Sequence, residues 1–177
     1  PIYLATLGPN ALRYTGNAAQ GWLGTSFTPD QPGAHLDYLS EGAAEAGRAI
    51  SDLDLCVSVR VELGDNVDAM IERRKPAVAF NMGGMGSADT NFYNDAFKRA
   101  GYADDALAIQ QLWMAGKRDE AAKRVPDAMV TQFQALGDAA TVTQRLAKYR
   151  DAGVTTLKLG LDSACLLYTS DAADERS

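Results

Sequence analysis

Histidine occurs once in this sequence, at position 35, and cysteine twice, at positions 56 and 165. A single imidazole excludes a histidine-based metal centre and any mechanism that needs two histidines. Two thiols cannot build a disulfide framework or a zinc cluster, so no metal site is expected. Cysteine this sparse fits a reducing, cytoplasmic compartment. Long apolar runs are lacking as well, with none near the roughly 18 residues that cross a bilayer. Basic residues are the minority, 17 Lys and Arg against 23 Asp and Glu, for a net charge of −6 and a pI near 4.7. That balance speaks against nucleic acid and against an anionic membrane surface as partners.

What is present is the composition of an ordinary soluble domain, 46% apolar and 23% charged over 177 residues, enough to bury a core. The chain opens at Pro1 directly into an apolar stretch, residues 2–7. At the other end the string from Cys165 to Glu175, Cys-Leu-Leu-Tyr-Thr-Ser-Asp-Ala-Ala-Asp-Glu, breaks the preceding pattern. It looks like the translated frame of a sequencing-library adaptor, so residues 1–164 are expected to form the domain and 165–177 a non-native tail.

Between these ends strands and helices alternate. The apolar run at 2–7 leads through Gly8-Pro9-Asn10 into a helical pattern at Leu12, Tyr14, Ala18 and Ala19, with Pro just inside the helix start. Gly21-Trp22-Leu23-Gly24 reads as a short strand. Leu36, Leu39, Ala43, Ala46 and Ile50 recur at helical spacing. Leu55, Val57, Val59 and Val61 mark the clearest strand, with Ser58, Arg60 and Glu62 on its polar side. Short helices are expected from Ala103 to Ala135. Asp138 should cap a last helix with a stripe of Val142, Leu146 and Tyr149, and Gly153 should end it. Thr155 to Leu161 forms the last strand. Such an order predicts α/β architecture with about four parallel strands joined by helical crossovers, because parallel neighbours cannot be joined by a hairpin.

Four segments carry a family likeness: Pro1-Ile2-Tyr3-Leu4-Ala5-Thr6-Leu7-Gly8-Pro9 through Gly21-Trp22-Leu23; Gly83-Gly84-Met85-Gly86 followed by Asn91-Phe92-Tyr93; Ala115-Gly116-Lys117-Arg118-Asp119-Glu120-Ala121-Ala122 with Val125-Pro126; and Tyr149-Arg150-Asp151-Ala152-Gly153-Val154-Thr155-Thr156-Leu157. In this order they resemble the luciferase-like monooxygenase superfamily, in its F420-dependent oxidoreductase branch. The resemblance implies the C-terminal half of a (βα)8 TIM-type barrel, strands five to eight, with a helical insertion before the last strand. It implies coenzyme F420 as cofactor, with FMN as the alternative, a small-molecule substrate, and a homodimer in the full-length parent.

It also assigns candidate cofactor-binding residues. Leu7, Gly8 and Pro9 form the turn that cradles the cofactor phosphate, where a glycine admits the ligand and a helix start supplies amides and positive potential. Gly21 and Trp22 sit on the next strand, bordering the same pocket. Catalytic residues stay unassigned, because the family's acid–base residues lie largely on earlier strands. The leading expectation is therefore part of an F420-dependent hydride-transfer enzyme. Its rivals are an FMN-dependent monooxygenase and a non-catalytic packing or dimerisation fragment.

Other residues draw structural expectations. Met82 and Met85 with their glycines could form a lip over the cofactor or a close helix contact; Asn81 stands where relatives tend to carry tyrosine. Arg60 and Lys158 could meet an anionic ligand or simply pair within the sheet. His35 is expected in a loop and exposed, Asp119 and Glu120 in a solvated helix, and Trp113 with Leu112 and Met114 in core or dimer packing.

Overall fold

A computed structural model describes residues 1–87 and 89–161. Its five strands, all parallel, are β1 (Tyr3–Leu4), β2 (Gly21–Gly24), β3 (Asp54–Leu63), β4 (Gln134–Gly137) and β5 (Thr156–Leu161). The crossovers are α1 (Pro9–Ala18), α2 (Gly33–Glu45) and α8 (Ala139–Asp151). Between β3 and β4 lies a helical insertion of α3 (Val67–Gly83), α4 (Phe92–Phe97), α5 (Ala103–Met114), α6 (Arg118–Lys123) and α7 (Asp127–Thr131). The expected α/β class and helical insertion are thus present. The proposed boundary at residue 164 and the adaptor-like segment 165–177 lie outside the described residues.

β3 organises the sheet. Its Asp54–Val57 stretch pairs with β2, Arg60–Leu63 with β4, and Cys56–Val61 with β5. Cys56 and Val57 are paired by both β2 and β5, and Arg60 and Val61 by both β4 and β5, so β2 and β4 share one edge of β3 and β5 takes the other. The alternation read from the sequence decides the faces: Leu55, Val57, Val59 and Val61 are buried against Leu12, Leu39, Ala43, Val142 and Tyr149 of α1, α2 and α8. Ser58 and Arg60 point to the opposite, exposed face. The insertion has its own core around Met82, Ile109, Met129 and Phe133.

β4 is a strand that the sequence does not mark. Residues 134–137 read as the end of a helical stretch, since Gln-Ala-Leu-Gly lacks the β-branched residues that mark strands. The segment is extended because β3 outruns β2 and offers unpaired backbone at its carboxyl end, which must be satisfied. The caps fell where expected: the Asp138 carboxylate accepts from the Thr141 amide at 2.7 Å, and Gly153 closes α8 at φ +92°.

α1 and α2 touch backbone to backbone. A Cβ on Gly42 would lie 1.8 Å from the Arg13 carbonyl oxygen, and one on Gly16 2.0 Å from that of Leu39. Arg48 closes the other end of this pair by donating to the Ala19 carbonyl at 2.8 Å. Gly42→Ala is therefore expected to force α1 and α2 apart and to destabilise the fold by about 1–3 kcal/mol, the usual cost of overpacking, as read from the urea midpoint.

His35 is the clearest departure from the sequence reading. Instead of an exposed loop residue it is a buried residue of α2, 1% exposed, with its ring 5.4 Å from that of Trp22 and 5.8 Å from that of Phe27. Neither ring nitrogen has a hydrogen-bond partner among the described residues. Its position one helical turn before Leu39 puts it on the apolar stripe, and a tilted aromatic stack offsets part of the polar burial. Burial first, then the charge of Arg99, pushes its pKa down to about 3 from 6.5. The folded state keeps it neutral while the unfolded chain takes a proton below about pH 6.5, so stability is lost as pH falls from there towards 3. Between pH 6.5 and 5 this amounts to about 2 kcal/mol. Denaturant titrations at the two pH values should show that loss in the wild type and a much smaller one in His35→Met.

Candidate functional site

Parallel strands put all their carboxyl ends on one side of the sheet, and ligand sites of such sheets lie there. Among the described residues, cavities open at the turn after β1 and where β2 ends beside β3.

The first, of about 640 Å3, is lined by residues 5–11 and Phe92. Its turn is held from behind by its carbonyls. The Trp22 indole N–H donates to the Thr6 carbonyl at 2.9 Å, and the Arg99 guanidinium to the Leu7 carbonyl at 2.7 Å. The Thr6 and Thr15 hydroxyls are 2.8 Å apart. With these carbonyls turned into the protein, the start of α1 faces the cavity. Pro9 at its first position has no N–H, and Leu12 donates back to Gly8 at 2.9 Å. The amides of Asn10 and Ala11 have no partner within the helix and are available to an acceptor in the cavity.

Gly8 itself has φ −76° and ψ 149°, a conformation open to any residue. A Cβ there would meet only the Phe92 ring, at 3.4 Å. Neither backbone strain nor core packing requires glycine at this position. The missing side chain leaves the backbone bare towards the cavity, which suits a phosphate at a helix start. Phe92, 58% exposed, forms the opposite wall. Asn91 fixes it in place by capping α4, accepting from the Asn94 amide at 3.0 Å and donating to the Met82 carbonyl at 2.9 Å.

The second cavity, of about 320 Å3, lies at the step on β3 between its pairing with β2 and with β4. Ser58 and Arg60 of β3, Lys158 of β5, Gln134 of β4, and Arg74 and Asn81 of α3 surround it, with Thr25 and Ser26 from the loop after β2. Ser26 holds φ +52°, a left-handed conformation unusual for serine. The loop is braced by Asp30, to which Lys148 donates at 3.0 Å and Arg145 also donates. Burial alone would raise the Asp30 pKa, but the hydrogen bonds from Lys148 and Arg145 and their charges hold it below the usual carboxylate value. Glu62 binds Arg74 at 2.7 Å and also Arg73. Burial lowers the Arg74 pKa, Glu62 opposes this, and the neighbouring charges of Arg60 and Arg73 lower it further.

Of the expected cofactor residues, Leu7, Gly8 and Pro9 come together at the first cavity. Gly21 and Trp22 do not line it. Trp22 is fully buried and acts on the turn through Thr6; Gly21 makes room for the Tyr3 ring, which a Cβ would approach to 2.2 Å. Arg60 and Lys158 both reach the second cavity, as does Asn81. Met82 is buried, and Gly83 lies against Trp113 where a Cβ would come within 2.2 Å, so this glycine stretch serves helix contact. Trp113 packs on Phe80 at 5.7 Å with Arg118 over its face. Arg74, Arg99 and Phe92 escaped the sequence reading as site residues. Phe92 lies in the family-like segment Asn91-Phe92-Tyr93, but Arg99 gives no local signal, because its partners Leu7 and Ala34 are 92 and 65 residues away.

With this geometry in view, the family description for luciferase-like monooxygenases matches residues 1–156. The chain is 33% identical over 166 residues to a candidate coenzyme F420-dependent oxidoreductase of Mycobacterium tuberculosis, Rv3520c, covering 93% of this chain and 48% of that protein. It is 31% identical over 162 residues to the 5,10-methylenetetrahydromethanopterin reductase of Methanopyrus kandleri, covering 90% and 44%. The solved structure of the coenzyme F420-dependent tetrahydromethanopterin reductase from Methanopyrus kandleri superposes with a TM-score of 0.69 at 28% identity, over 92% of this chain and 45% of that one. The chain thus spans about half the length of these relatives, and its parallel sheet is of the TIM-barrel kind. Among the described residues no helix is long and apolar enough to cross a membrane.

The turn depends on Arg99. Arg99→Gln should release the Leu7 carbonyl and loosen the start of α1. A charged hydrogen bond of about 1.5–3 kcal/mol corresponds to amide hydrogen exchange at Leu12 and Arg13 faster by about tenfold or more, with β3 unchanged.

Proposed function

The chain belongs to the luciferase-like monooxygenase family, and from that premise we propose that it is the cofactor-holding part of an F420-dependent oxidoreductase acting on a small organic substrate. The observation that carries this reading is the bare backbone at Gly8, a glycine that neither φ nor packing demands, facing a cavity at the start of a helix. The names of the relatives favour F420 over FMN. F420, when bound, supplies the hydride chemistry; the protein supplies position and a dry environment.

Each residue then has a task. Leu7, Gly8 and Pro9 form the cradle, with the amides of Asn10 and Ala11 donating to the cofactor phosphate. Phe92 shields that contact from water on the open side. Trp22 and Arg99 hold the carbonyls of Thr6 and Leu7 away from the anion, which would otherwise meet their negative ends. Gly21 and Trp22 therefore serve the cofactor at one remove. The second cavity, on the same side of the sheet, is the natural place for substrate. The exposed Phe80, Leu107 and Met114 of the insertion give a homodimer of the whole protein an apolar face to use.

Gly8→Val tests the cradle. Phe92 is exposed and can yield to the new side chain, so the circular dichroism spectrum should not change, while the dissociation constant for F420 should rise by about tenfold or more through loss of one or two charge-assisted hydrogen bonds. Fluorescence titrations of F420 and, in parallel, FMN read both. Tighter binding of FMN would favour a flavin monooxygenase instead, and unchanged affinity in the folded variant would reduce Gly8-Pro9 to a simple turn.

A further inference from the structure

His35 stands between the two contacts that hold the Gly8 turn. Its ring lies 5.4 Å from that of Trp22, whose indole N–H donates to the Thr6 carbonyl at 2.9 Å. The residue before it, Ala34, accepts from Arg99 at 3.1 Å, and the same guanidinium donates to the Leu7 carbonyl at 2.7 Å. The first turn of α2 is thus tied to both carbonyls, through the imidazole on one side and Arg99 on the other. Phe27, 5.8 Å from the imidazole and edge-on to Trp22 at 6.1 Å, closes the pocket. Three titratable or charged side chains surround this cluster: Arg99 from the turn Lys98–Tyr102, Tyr38 of α2 with Arg99 and Arg13 over its ring, and Tyr149 of α8 behind Phe27. Asp30 of the preceding loop is bound to Arg145 and Lys148 of α8, and Asp37 is exposed.

Packing does not call for an imidazole here. Two buried ring nitrogens without partners among the described residues destabilise the fold relative to an apolar side chain of similar volume. What the imidazole adds is a proton site that ordinarily titrates near neutrality. In the pocket that site is suppressed, because burial first and then the charge of Arg99 push its pKa down to about 3. A proton taken up there would set a second cation beside Arg99 in an apolar space. Outward movement relieves it, and α2 begins without a side-chain cap, so its first turn is the part of the helix that frays most readily.

We propose that His35 is an acid-sensitive latch on the Gly8 turn: on gaining a proton it swings out with the first turn of α2, Trp22 and Arg99 lose their backing, and the Thr6 and Leu7 carbonyls are freed to face the cavity. In that open state acceptors stand beside the α1 amides, and an anion is held less well. The proton goes to the open state, where the imidazole has its ordinary value. Opening is therefore least above about pH 6.5 and grows about tenfold for each unit below it, until the pH nears 3. That the anion at the turn is the cofactor's rests on the oxidoreductase reading; the latch itself does not.

Amide hydrogen exchange of the full chain at pH 7 and pH 5, corrected for the intrinsic pH dependence, reads the latch. Protection of the Leu36 and Leu12 amides and of the Trp22 indole N–H should fall by about 25-fold in the wild type. In His35→Met it should change by less than about twofold. The wild-type fall should be insensitive to low urea, as a local opening is, whereas Val57 and Val59 of β3 should follow urea steeply. A fall that tracks urea as β3 does would mean that His35 acts on global unfolding only and would overturn the latch, with or without a folded His35→Met. F420 at about one hundred times its dissociation constant should restore protection at Leu36 and at the indole by about a hundredfold, since only the closed turn binds it. F420 binding that leaves these groups unprotected overturns the latch alone. A local, urea-insensitive fall in a chain without F420 affinity rejects the cofactor assignment and leaves the latch standing.

Discussion

The length of β3 is the constraint from which the rest follows. Ten residues long, it outruns both neighbours on one edge, so that β2 pairs with its first half and β4 with its last. Ser58 and Val59, between those pairings, line the second cavity. A shorter β3 would give β4 nothing to pair with and would close that step. A longer β2 would fill it. Alternation along the same strand separates its two faces, with four apolar side chains building the core and Ser58 and Arg60 lining the second cavity on the other.

The first cavity depends on a different device, the control of carbonyl direction. A turn that ends a strand and begins a helix presents both donors and acceptors, and an anion meets a mixed field there. Here one indole and one guanidinium bind the two carbonyls from the protein side. The first amides of α1 are then left facing the cavity. His35 belongs to this support: neutral and wedged beside Trp22, it keeps the indole in register without adding a second charge next to Arg99.

The sequence made the frame legible where physics is local. Period-two apolar residues gave β3 and its faces, period 3.6 gave α1, α2 and α8, and Gly153 and Asp138 marked their ends. Gly8-Pro9 was legible as a helix-opening turn from the residue types, and the family likeness added only the expectation of a phosphate there. What stayed hidden depends on distant partners. β4 exists only because β3 offers it an edge. His35 looks like a surface residue to any rule based on polarity, and its burial follows from a stack with Trp22 and Phe27. Arg99 acts across 92 residues. Gly21 and Trp22 fall on the expected strand but do not line the first cavity, since side chains on a strand alternate and the Trp22 ring turns into the core.

The pairing of β3 with β5 also shapes how the chain reaches this fold. The Leu55 amide donates to the Thr155 hydroxyl across 100 residues, and the entire helical insertion lies within that loop. Closing so long a loop costs roughly 4 kcal/mol of chain entropy before any contact rewards it. The insertion has a core of its own, so it can condense first and shorten the distance β5 has to search. The same helices that wall the ligand side thereby serve as an assembly aid, and mutations in their core should slow the arrival of β5 more than they loosen the finished sheet.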